Sequence, residues 1–378
     1  MVIFSLDLGN KQVKLVSEKT LEIKREAEAS GKKNSDKSIV ESIGAKVLPS
    51  HFLDYDDLGD QRTAIASDKP LQLDKYTSGT DKDFSYAWGN DLHLVHAEDK
   101  FISTIGFENR YKKHEFRLLT DFSLAELARD YEEAKTGILE VIVSTGVPTD
   151  DFNGTAVQDI TQTLLGDHNI TVNNESLNIR VKEVHVNPQP VGTAYNEVLD
   201  FEGYVREENA SLLDEQVVVV DIGGGTLLID TLKNMNLSNP RNQKPTGAYE
   251  IYDRVVNLAT DAGIKGITSF EVERILREGN TSEGYFFRPN KNESFPITAY
   301  VNKAIIKFTR EVLNTINTTL KGSLRVDTML FTGGGSNLIK QEDIKEQYKY
   351  SKFVADSEIA NVLGFYKYAK ALVTTRSE

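Results

Sequence analysis

Two short, nearly unbroken apolar runs stand out along the chain. Val2 to Leu8 leads through Asp7 into Gly9, and Val217 to Val220 leads into Asp221-Ile222-Gly223-Gly224-Gly225-Thr226. Each is followed by a second apolar stretch, Val13 to Val16 in one case and Leu227 to Leu232 in the other, so each reads as a hairpin with a tight glycine turn. A further strand, at 327–332, runs into Gly333-Gly334-Gly335. Strands are also expected at 139–144, 169–173 and 176–186, with loops at 145–148 and 187–192. Helical spacing is expected over 121–134, with Thr120 or Asp121 as N-cap, and over 151–165, 248–263, 268–277, 297–320, 336–347 and 357–373. The polar stretch 25–38 reads as a surface loop, and the region around Trp88, up to about residue 100, as short strands and loops. Strands followed by helices, twice over, indicate an α/β protein.

Composition narrows the class. A chain of 378 residues is long for one core and suits two domains. With 44 basic against 57 acidic residues the net charge is -13, which argues against direct nucleic-acid binding, since neutralising phosphates takes a surplus of Lys and Arg. Without cysteine there is neither a disulfide framework nor a thiolate metal site. His51, His93, His96, His114, His168 and His185 show no zinc-binding spacing. No basic leader precedes the first strand and no run approaches about 20 apolar residues, so the expectation is a cytoplasmic protein without a membrane span.

Aligning Asp7 on Asp221 superposes two units of apolar strand, Asp, apolar residue, Gly, turn and return strand. Repetition at half-chain spacing suggests two domains of related topology facing one cleft. The pattern suits phosphate chemistry. Glycine turns let backbone N–H groups approach phosphate oxygens without interference from Cβ. A carboxylate at a strand end can hold Mg²⁺ through its waters, because that ion dehydrates reluctantly. The third glycine turn, between a strand and a helix, can approach a flat ligand such as adenosine. Together these point to a nucleotide.

These residues resemble the superfamily of actin, DnaK-type chaperones and sugar kinases. Asp7 to Lys14 (DLGNKQVK) resembles its first phosphate motif, Asp221 to Thr226 (DIGGGT) its second, and Leu330 to Asn337 (LFTGGGSN) its adenosine motif. Pro188-Gln189-Pro190 and Ala360-Asn361-Val362-Leu363-Gly364 resemble its two connecting motifs. Within it the chain is most similar to the ParM-like actin-like proteins of plasmid segregation. The segments Val143 to Pro148 and Asn361 to Ala369 resemble theirs, and the expectation is a chain without an appended substrate-binding domain. The resemblance implies an actin-like fold, two RNase H-like domains around a nucleotide cleft: residues 1–188 with the helix 361–378 returning to them, and 189–360. It implies that Asp7 and Asp221 hold Mg²⁺, and that Gln189 and Asp221 orient the attacking water. Gly9, Asn10, Lys11 and Lys14 would form the first phosphate site, and Gly223, Gly224, Gly225 and Thr226 the second. Gly333, Gly334, Gly335 and Ser336 would cover adenosine, with Glu250 and Arg254 as ribose and base contacts. The ligand would be ATP (GTP possible). Gln189 stands where most ParM-like proteins have Glu; it can orient water but cannot accept its proton, which predicts slow hydrolysis.

The activity implied is a cytomotive ATPase that forms a polar filament with copies of itself, reaching plasmid DNA through a centromere-binding DNA adaptor protein. A small-molecule kinase with Asp150, Asp151 or Asp200 as base is the alternative, and a cell-shape or division scaffold a third. Two other segments have plainer expectations: Arg110 to His114 as a solvated basic loop, and Phe286 to Pro289 as an exposed apolar loop available for filament contact.

Overall fold

A computed structural model of the protein describes residues 1–33, 37–58, 71–95, 97–104, 110–277, 283–321 and 325–377. The chain divides into two compact units, Met1–Arg206 with Asn361–Glu378, and Glu207–Ala360. The boundary therefore falls at 206/207 and not at the expected 188/189. Helix Gln189–Val198 packs on strands Glu175–Pro188 and Leu139–Val147 and so stays with the first unit.

In the first unit, strand Val2–Leu8 lies between its hairpin mate Gln12–Ser17, antiparallel, and Leu139–Val147, parallel. Leu139–Val147 is followed in the sheet by Glu175–Pro188, again parallel, and then Gly166–Val172. In the second unit, Gln216–Ile222 lies between Leu227–Lys233, antiparallel, and Thr328–Thr332, parallel. Even the register repeats: Asp7 faces Lys14 and Asp221 faces Leu228, in each case seven residues on. The buried faces of these strands (Phe4, Leu6, Val141 and Val143 in one unit; Val218, Val220, Ile229 and Phe331 in the other) anchor two separate cores.

Several local expectations are corrected. Residues 25–29 close helix Glu18–Ala29, which buries only Thr20, Leu21 and Ala27, and Ser38 caps a short helix, Ile39–Ile43; 34–36 lie outside the described residues, as do 59–70 and His96. The helix expected from Asp121 is His114–Ala128, with Thr120 and Asp121 in its middle. Nearly its whole circumference is buried, so no polar face marks its ends. Its polar side chains are satisfied internally, Asp121 accepting from Ser78 Oγ at 2.5 Å and lying 2.7 Å from His168 Nδ1. The expected loops at 145–148 and 187–192 are strand ends: one strand runs to Val147, the other to Pro188, and helix starts at Gln189. Phe286 and Phe287 belong to a hairpin, Phe286–Asn290 with Glu293–Pro296, and Phe287 is 2% exposed in the second core, stacked on Phe295. Strands Asn236–Lys244 and Ser351–Phe353 were not expected; they flank the second sheet, where alternation is weak and polar residues dominate.

Candidate functional site

Parallel strands bring their carboxyl ends to one side of a sheet, where open α/β sheets bind ligands. Asp7 lies near such an end, 3% exposed, between two donors. Lys14 Nζ, directly across the hairpin, donates to Oδ2 at 3.2 Å, and Gln189 Nε2 donates to Oδ1 at 3.4 Å. Gln189 reaches Asp7 because Pro188 pairs with Val147 at the end of the neighbouring strand and the helix begins at once, with Pro190 in its first turn. Thus Gln189 joins Asp7 and Lys14 in the first unit although it lies 182 residues beyond Asp7.

The turn Gly9 to Lys11 is braced from beneath. Gly9 O accepts from Ser50 Oγ at 2.6 Å and from Arg110 Nη2 at 2.9 Å, and Ser50 N donates to Lys11 O at 2.9 Å. A Cβ on Gly9 would sit 2.7 Å from Gln12 O, so the turn needs glycine for its tightness. Asn10 at the tip is exposed, leaving the outer side of the turn open. Arg110 was expected in solvent; it is 7% exposed, with Nε donating to Thr104 O at 2.9 Å and the guanidinium over Phe116. Burial lowers its pKa, against the opposing influence of Tyr111, Asp7 and Asp151, but an arginine stays charged. Neither Ser50 nor Arg110 carries a motif. A buried cation 101 residues from the carbonyl it holds leaves no signal in spacing.

The second unit gathers Asp221, the turn Gly223 to Thr226 and the turn Gly333 to Ser336. Asp221 pairs in register with Thr332, so Gly333 follows beside it; with φ +79° and Asp221 Oδ1 only 2.4 Å from where a Cβ would lie, no other residue fits Gly333 unstrained. Gly223 N donates to Thr226 O at 2.8 Å, closing the first of these turns. The carbonyls of Gly223 and Gly224 accept from Ala248 N and Tyr249 N, an approach that a Cβ on Gly247 would block. Ser336 is 1% exposed and donates to Gly333 O at 2.8 Å, while Ser357 O accepts from Gly333 N at 3.1 Å. Ser336 thus fastens the turn from inside, and the faces of Gly334 and Gly225 look toward Glu358 and Tyr249 respectively.

Around these glycines stands a charged frame that sequence reading missed. Arg277 donates to Glu273 at 3.0 Å and to Glu358 at 3.2 Å. Burial would lower the Arg277 pKa, but the carboxylates of Glu358 and Glu273 outweigh it and raise it. Burial, then Glu273, pushes the Tyr249 hydroxyl well above its ordinary value. Glu250 and Arg254 pair with each other at 3.2 Å, and Arg254 also holds Glu311 of helix Thr298–Leu320 at 2.7 Å, tying two helices together. Arg254 Nη1 is buried without an acceptor.

The donor sets fit a nucleotide with Mg²⁺. Among the described residues no group of three or more His, Asp or Glu side chains could hold a metal by itself. Each unit presents one strand-end carboxylate beside a glycine turn, which suits an ion that keeps most of its waters and takes its other ligands from phosphate. Other residues of the first unit account for the C-terminal motif. Thr193 Oγ1 donates to Asn361 Oδ1 at 2.7 Å, Ser5 Oγ donates to Val362 O at 2.7 Å, and the Phe365 ring fills the space that Cβ atoms on Gly146 and Gly192 would take.

Comparison with known proteins identifies the fold and the family. The family described as actin like proteins N terminal domain matches residues 5–192, and the Alp7A C-terminal domain matches residues 216–358. Among solved structures, the apo psk41 ParM protein aligns with TM-score 0.73 at 20% identity, covering 100% of this chain and 99% of that one. The archaeal actin homolog Ta0583 in complex with ADP aligns with TM-score 0.68 at 16% identity (98% and 99% covered). The Alp12 filament structure aligns with TM-score 0.62 at 15% identity (98% and 99% covered). No curated protein sequence matches the chain. Its fold is the actin-like fold, and the chain belongs to the ParM-like group of bacterial actin-like proteins.

Proposed function

We propose that this protein is a cytomotive ATPase: it binds ATP with Mg²⁺, assembles with copies of itself into a polar filament, hydrolyses the nucleotide within the polymer, and moves plasmid DNA through a centromere-binding DNA adaptor protein. The observation that carries the reading is the repeated hairpin, with Asp7 and Asp221 at the same register position beside glycine turns that are braced from behind and open in front. In this reading, backbone N–H groups of Gly9 to Lys11 and Gly223 to Thr226 bind the phosphates, and Lys14 exchanges its contact with Asp7 for one with phosphate. Gly333 to Gly335 face the nucleoside, with Arg277 and Glu358 as its polar frame. Mg²⁺, when bound, neutralises phosphate charge through waters held by Asp7 and Asp221. Gln189 orients the attacking water but cannot accept its proton, so turnover is slow.

Self-assembly is supported by family membership and by the filament of the similar Alp12. Nucleotide binding is supported by the glycine turns and by the ADP complex of the similar Ta0583. The kinase alternative is weakened by the occupation of two of its three candidate bases: Asp151 accepts from the Tyr111 hydroxyl at 2.9 Å, and Asp200 accepts from Glu202 N and Tyr204 N in its own turn. The net charge of -13 favours an adaptor over direct DNA contact. Phosphate release measured alongside pelleting, for wild type and Asp221→Ala, tests the reading. Slow, polymer-linked release that the substitution abolishes is expected. Release stimulated by a sugar or carboxylic acid, without polymer, would overturn it.

A further inference from the structure

The helix Thr298–Leu320 buries Val301, Ala304, Phe308, Val312 and Ile316 in the second core and leaves its opposite face outward. On that outer face stand Lys303, Lys307 and Arg310, flanked by Asn302, Ile306 and Asn314 beside a hollow of about 710 Å³. The only acid of the helix, Glu311, is held by Arg254 at 2.7 Å. Among the described residues none of the three cations has an ion-pair partner. Like charges at such spacings cost a helix a few tenths of a kcal/mol each. Here they sit on a rigidly anchored helix of a markedly acidic protein.

We infer that this basic stripe is a contact surface for an acidic face of a second copy of the chain; the inference rests on the filament reading and names part of its interface. Charge complementarity selects the occupant. The first unit carries 26 basic and 36 acidic residues, net -10, while the second carries 18 and 21, net -3. An acidic first unit of one copy and a basic stripe on the second unit of another form a heterologous pair, which propagates without closing. From Lys303 to Asn314 the stripe extends roughly 16 Å, the scale of a protein contact. Ile306 and Ala299 interleave the charges, giving apolar contact that a phosphate backbone would not use. Opposite charges at the rim speed encounter and fix register, and they respond to salt.

The test compares wild type with the triple variant Lys303→Glu, Lys307→Glu, Arg310→Glu, all exposed positions. The readouts are ATP binding followed with a fluorescent analogue, pelleting at about 50 and about 300 mM salt, and binding to duplex DNA. The expected result is unchanged nucleotide binding, a critical concentration raised at least about tenfold at low salt, and a wild-type polymer whose critical concentration rises with salt. Polymer of the variant indistinguishable from wild type at both salts would overturn this surface and leave the filament reading standing. No polymer from wild type would overturn the filament reading, and this one with it. Duplex DNA bound by wild type and lost in the variant, with polymer unchanged, would assign the stripe to nucleic acid instead.

Discussion

Gly364 lies inside helix Ala360–Ser377, where Gly→Ala ordinarily stabilises by about 1 kcal/mol. Here the opposite is expected. A Cβ at Gly364 would fall 1.7 Å from Gly192 O, 2.6 Å from Gly192 C and 2.9 Å from Asn196 N. All three belong to the backbone of helix Gln189–Val198, so no side chain can swing aside. Relief requires one helix to retreat by well over an ångström. That would pull Phe365 off Gly146 and Gly192 and lengthen the bonds from Thr193 to Asn361 and from Ser5 to Val362. Overpacking of this kind costs about 1–3 kcal/mol, and a buried hydrogen bond lost on top adds about 1 kcal/mol. Against the propensity gain, a net loss of about 2 kcal/mol is the working figure, or roughly 4–8 °C in Tm for a unit of this size. Calorimetric melting of Gly364→Ala, with the exposed Thr375→Ala as control, measures it. A Tm equal to or above wild type would refute the claim that the glycine crossing sets the distance between these helices.

Other substitutions probe the remaining links. Ser50→Ala removes a donor from Gly9 O and should weaken ATP binding by about 1 kcal/mol, roughly fivefold in Kd by fluorescence titration, with little change in Tm; an unchanged Kd would mean the brace does not shape the turn. Phe287→Ala should cost about 3–5 kcal/mol in urea unfolding, where an exposed loop residue would cost almost nothing. Lys367, a buried side chain of helix Ala360–Ser377, donates to Asn196 O and Oδ1 and lies over the Phe201 ring. Burial first, then the Arg206 charge, hold its pKa at about 7, against Glu197 and Asp200, which raise it. The unfolded chain therefore binds more protons than the folded one above pH 7, so this lysine opposes folding fully below that pH and progressively less as pH rises toward its ordinary value. Urea midpoints for wild type should rise between pH 7 and 9.5 relative to Lys367→Met, and parallel profiles would count against the assignment.

What could be read from the sequence was what backbone geometry writes into residue type. A strand, an Asp and a glycine turn constrain a few adjacent positions, so both hairpins and the third turn were visible from spacing. Elements defined by distant partners were not. Helix His114–Ala128 hides its ends because Asp121 and Glu126 are buried against Ser78, His168, Tyr76 and Arg129, so its periodicity carries no polar face. Arg110 looked like part of a solvated basic run because its acceptors, Thr104 O and Gly9 O, are backbone atoms without a sequence signature. The frame of Arg277, Glu273 and Glu358 joins a helix to the segment before the C-terminal helix across 81 positions, and only the fold places it beside Gly334.

Electron microscopy of the purified protein with ATP, with ADP and with a non-hydrolysable ATP analogue bears most directly on the central claim. Filaments are expected with ATP and with the analogue and none with ADP, those with ATP disassembling as phosphate is released. Absence of filaments in all three, with ATP bound normally, would contradict it.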